Sequence, residues 1–152
     1  KACQEMESGA AQRGVTLEII ADEATAVLKG DGAVLRRVLD NLLSNAIEHS
    51  PQGGIVRVAV TLCDEGIEIA VADQGPGVPP EFREKIFEKF QRLESRKSMP
   101  GANRGLGLTF CRLAVEAHGG TIWVDDAPGH GAIFRALLPA TEAEHGVEAA
   151  SA

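Results

Sequence analysis

No apolar run in the sequence approaches the ~20 residues that a helix needs to cross a bilayer, and no signal peptide opens it. Neither membrane insertion nor secretion of this piece is expected. The expectation is a cytoplasmic domain without direct membrane contact, whose parent can still be membrane-anchored. Cysteine is scarce and scattered: Cys3, Cys63 and Cys111 are odd in number and form no CxxC pair. That argues against a disulfide framework or a zinc site and suits a reducing compartment. Cys63 and Cys111 sit in apolar segments and read as buried, inert thiols. The four histidines, His49, His118, His130 and His145, lack ligand-like spacing. Positive charge is short as well. A net charge of −7 argues against nucleic acid as a partner. No internal repeat is visible.

What is present fits one folded domain. The chain has 152 residues, 44 % apolar and 24 % charged, ordinary values for a globular protein with a single core. The charge is unevenly spread. From Arg83 to Arg104 seven cations (Arg83, Lys85, Lys89, Arg92, Arg96, Lys97, Arg104) face three anions (Glu84, Glu88, Glu94). A basic loop of this size in an acidic protein points to a small anionic ligand.

Residues 1–13 read as the end of a linker or dimerisation helix, with Gly14 as its stop. Alternation of Val15, Leu17 and Ile19 predicts a half-buried strand to Ala21, and a short strand follows at Ala26–Lys29. Asp31 is placed to cap a helix over 32–49, where Val34, Leu35, Val38, Leu39, Leu42, Leu43, Ala46 and Ile47 form one broad apolar face. Strands Ile55–Cys63 and Ile67–Val71 are joined by Asp64-Glu65-Gly66, a connection short enough for antiparallel pairing. After a Gly-, Pro- and charge-rich stretch at 73–104, with a short helix near Pro80–Phe90, a helix runs from Gly105 to His118 and stops at Gly119-Gly120. Strands Thr121–Val124 and Ala132–Leu138 close a domain spanning 14–140, and 141–152 read as a disordered tail. Hairpin strands with intervening helices suggest a two-layer α/β sandwich rather than a doubly wound sheet.

Three patterns carry chemistry. Asn41, Asn45 and Glu48 are spaced i, i+4, i+7 and share the polar face of the long helix. Amide oxygens are hard, neutral donors that suit Mg²⁺, which takes few protein ligands beside phosphate oxygens. Asp73-Gln-Gly75-Pro-Gly77 follows a strand; a carboxylate there can accept from adenine's amino group, and the glycines let backbone approach the base. Arg104-Gly105-Leu106-Gly107-Leu108 opens a helix, whose free N–H groups and partial positive charge favour phosphate. Each pattern has a plainer reading by itself: a solvated helix face, a glycine turn, a common GxG.

Order and spacing select between them. A paired-Asn helix, Asp-x-Gly-x-Gly, Phe87-Glu-Lys-Phe90-Gln-Arg92 and Gly-Leu-Gly-Leu, in that order from Val15 to about Pro139, resemble the GHKL superfamily and, within it, the histidine kinases. The four segments look like its N, G1, F and G2 boxes. The resemblance implies the Bergerat fold, a mixed, mostly antiparallel sheet backed by helices with a flexible ATP lid over 79–104. It implies ATP and Mg²⁺ as cofactors, with Asn45 as the metal ligand, Asn41 on the phosphate side and Asp73 reading adenine. Gly105 and Gly107, with Leu106 and Leu108 in the same run, cradle phosphates. Phe87 and Phe90 form the lid's hydrophobic hinge, and Arg92 and Arg104 contact phosphate. His49 abuts the nucleotide face as a packing or phosphate-side residue.

The implied function is transfer of the γ-phosphoryl of ATP to a histidine on a separate dimerisation domain of the same parent, with a response regulator downstream. No phosphoacceptor segment is visible here, so no catalytic residue is assigned within the fragment. Asn41 stands where ATPases of the superfamily carry a glutamate that activates water. An amide cannot take a proton at neutral pH, which favours a kinase over an ATPase. The same position tells against a serine kinase of the anti-sigma type, which also places Glu there. Three positions depart from the family pattern: Glu48 replaces a cation, Asn103 a glycine, and Ala132 a Ser or Thr that supports the adenine-reading Asp. Glu48 and Ala132 motivate an alternative, a degenerate pseudokinase that binds nucleotide or docks a partner without transfer.

Overall fold

The structure, a computed structural model, describes residues 8–21, 26–28, 30–88 and 106–142. Five strands form one sheet in the order β1-β3-β4-β6-β5: β1 (Thr16–Ala21), β3 (Ile55–Cys63), β4 (Gly66–Ala72), β5 (Thr121–Asp126) and β6 (Ala132–Leu138). A two-stranded ribbon pairs β2 (Ala26–Leu28) with β7 (Ala140–Glu142). Helices α1 (Gly32–His49) and α2 (Leu106–Ala117) pack on one face of the sheet. The mixed, mostly antiparallel α/β sandwich anticipated from the sequence is what forms. Its one parallel pair, β1 with β3, encloses α1 in the crossover, as a parallel connection requires.

Helix α1 starts where its cap dictates. Asp31 Oδ1 accepts from the N–H groups of Ala33 (2.9 Å) and Val34 (3.2 Å), satisfying two donors that the first turn leaves open. Its apolar stripe then buries Val38, Leu42, Leu43, Ala46 and Ile47 against Val56, Val58 and Val71 of the sheet and Leu108, Cys111 and Val115 of α2. Leu42 and Leu43 are fully buried, each contributing about 2–3 kcal/mol of transfer free energy. The opposite face of the sheet is small and salt-laced. Ala59, Ala70 and Ala72 lie beside ion pairs from Arg57 to Glu18 and from Arg135 to Glu68 and Asp125. Of these, the exposed Arg57–Glu18 pair adds little stability.

Three expectations need correcting. The chain does not leave the fold at residue 141: Thr141 and Glu142 belong to β7, paired with β2. The ladder bonds to Ala26–Leu28 outweigh the weak local preference of that polar segment. Instead of one short helix near Pro80–Phe90, two 3₁₀ turns form, at Pro80–Phe82 and Lys85–Phe87. Arg83 and Glu84 between them reach outward, Arg83 to Val78 O and Asp126, Glu84 to Arg112. Of the two cysteines expected to be buried, Cys111 is, whereas Cys63 is only partly covered. The entering segment is helical over residues 8–12 and turns at Gly14, whose φ of +71° suits glycine. Residues 1–7 and 143–152 lie outside the described residues.

Candidate functional site

The polar face of α1 divides in two. Asn45 is almost wholly buried, at 1 % exposure, and its backbone carbonyl receives the Nδ1–H of His49 at 2.6 Å, which fixes that tautomer. Asn41 is turned toward α2, where its side chain hydrogen-bonds the thiol of Cys111. That thiol also donates to Val38 O at 3.6 Å, so Cys111 ties the two helices together. Burial pushes its pKa up to about 12, against the weaker opposing pull of the Asn41 bond. Glu48 is half-buried, and its carbonyl accepts from Arg13 Nη2 at 3.4 Å.

Asp73, 4 % exposed, sits just beyond β4 and is held by backbone alone. Its Oδ1 accepts from Gly75 N–H (2.9 Å) and Ala132 N–H (3.1 Å), while its own N–H donates to Ala132 O (2.8 Å). Among the described residues none donates to Oδ2. Ala132 thus supports the carboxylate through its main chain, a role for which the sequence suggested a missing hydroxyl. The sequence could not reveal this, because a backbone donor carries no residue identity.

Close approach explains the glycines. A Cβ on Gly75 would sit 2.3 Å from His49 O, bringing the Asp73 loop directly onto the C-terminal turn of α1. A Cβ on Gly131 would sit 2.1 Å from Asp73 O and 2.9 Å from its Oδ1. Gly77 has φ +79° and faces Gly131 O. Asn45, His49, Asp73, Gly75 and Gly77, separated in sequence, therefore converge where α1 ends and β4 gives way to its loop.

Phe87 is buried and meets Phe134 edge-to-face, with centroids 6.1 Å apart, and the Arg112 guanidinium lies 6.0 Å from its ring centroid. Arg112 also pairs with Glu84 (3.2 Å) and Glu116 (3.3 Å), fixing the second 3₁₀ turn to α2. Leu108 is buried and Gly107 half-buried in the first turn of α2. Leu106 begins that helix. Phe90, Arg92, Arg104 and Gly105, with the departure at Asn103, lie outside the described residues. Gln74 and Ser50 escaped the sequence reading: Gln74 Oε1 accepts from Ile55 N–H at 2.8 Å, and Gln74 N–H donates to Ser50 Oγ at 3.4 Å. Only the neighbourhood of Asp73 could have flagged them.

Residues 30–142 match the family described as histidine kinase-, DNA gyrase B-, and HSP90-like ATPases. The adaptive-response sensory kinase SasA of Thermosynechococcus vestitus is 41 % identical over 111 residues, which is 72 % of this chain and 29 % of that kinase. The chain therefore spans under a third of that curated relative. The mycobacterial sensor histidine kinase MprB superposes with a TM-score of 0.79 at 34 % identity, covering 93 % of both chains. Full-length ShkA, solved in complex with AMPPNP, gives a TM-score of 0.81 at 29 % identity, covering 98 % of this chain and 30 % of that one. On this family match over most of the chain, and on its likeness to these sensor kinases in sequence and fold, the chain belongs to the histidine kinase-, DNA gyrase B- and HSP90-like ATPase family, as an ATP-binding catalytic domain of the histidine kinase type.

Proposed function

We propose that this domain binds Mg-ATP at the junction of α1, the Asp73 loop and the start of α2, and transfers its γ-phosphoryl to a histidine on a separate dimerisation domain of the same parent. One observation carries the reading. Asp73 is buried with Oδ1 saturated by two backbone N–H groups, which holds the carboxylate rigid while no described residue donates to Oδ2. An acceptor so fixed selects a donor such as the amino group of adenine.

The remaining residues fit the same ligand. The Asn45 amide oxygen is the hard, neutral donor that Mg²⁺ accepts beside phosphate oxygens, and Asn45 would hold the ion. When bound, Mg²⁺ supplies neutralisation of phosphate charge. Gly75, Gly77 and Gly131 keep the base side open to close approach, because a Cβ at Gly75 or Gly131 would strike backbone. Gly107 in the first turn of α2, with Gly105 before it, brings helix N–H groups toward phosphate. Arg92 and Arg104 supply charge from the segment 79–104, read as a lid hinged on Phe87 and Phe90. His49, its Nδ1–H committed to Asn45 O, packs rather than reacts. Asn41 cannot act as a base, so the domain's part is to position ATP and stabilise charge, and the acceptor imidazole provides the nucleophile. A P–N bond forms as the bond to the β,γ-bridging oxygen breaks and ADP leaves. The parent would pass the phosphoryl group on to a response regulator. The pseudokinase alternative keeps both its motives, Glu48 and the missing hydroxyl at Ala132, although the Ala132 N–H supports Asp73.

The test is transfer in trans. Supplied with Mg-ATP labelled at the γ-phosphate and a dimerisation domain carrying the acceptor histidine, the chain should label that domain. ATP binding without any transfer would favour the non-catalytic reading.

A further inference from the structure

The Asp73 loop departs from the sheet at one residue. In the β3–β4 ladder Arg57 lies opposite Ala72, so the same register would set Ile55 opposite residue 74. The backbone does not continue that far. It parts from β3 after Ala72, keeps the β4–β6 register for one more residue through Asp73 N–H to Ala132 O, and then lays Gly75 on the end of α1. The ladder bond that its departure would forfeit is replaced by a side chain: Gln74 Oε1 accepts the Ile55 N–H at 2.8 Å. The Gln74 N–H in turn donates to Ser50 Oγ, beside the C-cap of α1, at 3.4 Å. The anchor is firm, because the turn before Ile55 is itself fixed by Gly53 N–H to Gly14 O (2.7 Å) and Gly54 N–H to Pro51 O (2.8 Å).

We propose that Gln74 is a positioning residue that sets the base selectivity of the site. Its side chain stands in for the missing ladder carbonyl toward β3, which lets the backbone part from β3 at the point where Asp73 must face the ligand. The proposal rests on the adenine-reading role given above to Asp73. Gln74 itself touches no ligand; it acts through the direction of the Asp73 carboxylate.

The experiment is calorimetric titration of the whole chain with ADP and with inosine diphosphate, which carries a carbonyl in place of the adenine amino group. Thermal unfolding of each variant is measured alongside. Wild type prefers ADP, and Asp73→Asn abolishes that preference. Gln74→Met removes the acceptor at similar length and should cut the preference roughly three- to tenfold, the worth of one hydrogen bond. Gln74→Glu keeps an acceptor oxygen and should restore it to within about twofold. A lowered melting temperature with unchanged base preference in Gln74→Met would make Gln74 merely structural and overturn the proposal. So would Gln74→Glu behaving like Gln74→Met. If Asp73→Asn leaves the preference intact, or wild type has none, the adenine reading itself fails and the positioning claim falls with it.

Discussion

Helix α1 meets a glycine at each end, and the two contacts serve different purposes. At the N-terminal end a Cβ on Gly30 would lie 2.0 Å from His118 Cδ2. His118 Nδ1 donates to Ala114 O at 2.7 Å, and its Nε2 accepts from Asp31 N–H at 3.1 Å, so the imidazole joins the cap of α1 to the last turn of α2. At the C-terminal end Gly75 lies against His49 O, and Gly131 closes on Asp73 from the other side. The steric demand is alike in both places. What differs is the neighbour: at one end a ring that secures the helix pair, at the other a buried carboxylate that we propose faces a ligand. A crowded glycine therefore marks close approach, and only the polar group beside it tells a fold contact from a binding one.

Substitution separates the two ends. Gly131→Ala should have the largest effect, because Gly131 has φ +109° and its Cβ would strike backbone rather than a movable side chain. A cost of about 2–3 kcal/mol in stability is expected, with ATP affinity reduced well beyond what unfolding explains, read by calorimetry on the folded protein. Gly30→Ala should cost about 1–3 kcal/mol in chemical denaturation yet leave the ATP affinity of the folded protein within about twofold, because His118 lies away from the Asp73 loop. Loss of affinity at both positions would erase the distinction.

Cys111 of α2, bonded to Val38 O on α1, sharpens the comparison from between the two ends. Folding raises its pKa to about 12, so the folded state holds the proton more tightly than the unfolded chain, whose thiol titrates near ~8.5. The resulting stability is complete below that lower value and is lost as pH rises toward the upper one. Wild type should therefore lose about 1–2 kcal/mol more than Cys111→Ala between pH 8 and 10, measured by denaturant unfolding at each pH. Parallel pH profiles for the two proteins would mean that the thiol is not protected by its burial.

Much of this was legible in the sequence, for physical reasons that also mark where legibility stopped. Helix α1 combined a capping Asp31 with an uninterrupted apolar stripe, and its bounds fell where cap and stripe placed them. The hairpin of β3 and β4 followed from alternation around one tight turn. Asp73 and its glycines stood out because they lie within five consecutive residues. Strand β7 was hidden, since three residues with no alternation become a strand only when β2 offers its edge. The partners of Asp73 at Ala132, of Gln74 at Ile55 and of Asp31 at His118 lie 59, 19 and 87 positions away, and all three bonds use a backbone N–H. No side-chain pattern records such donors.

The central claim, that α1 and the Asp73 loop together hold Mg-ATP, is tested most directly by titrating ATP into wild type and Asn45→Ala, each with Mg²⁺ and with EDTA. The account predicts that Asn45→Ala loses roughly tenfold or more in affinity with Mg²⁺ and little in EDTA, because only the metal contact is removed. Equal loss under both conditions would contradict it, leaving Asn45 as a buried structural amide.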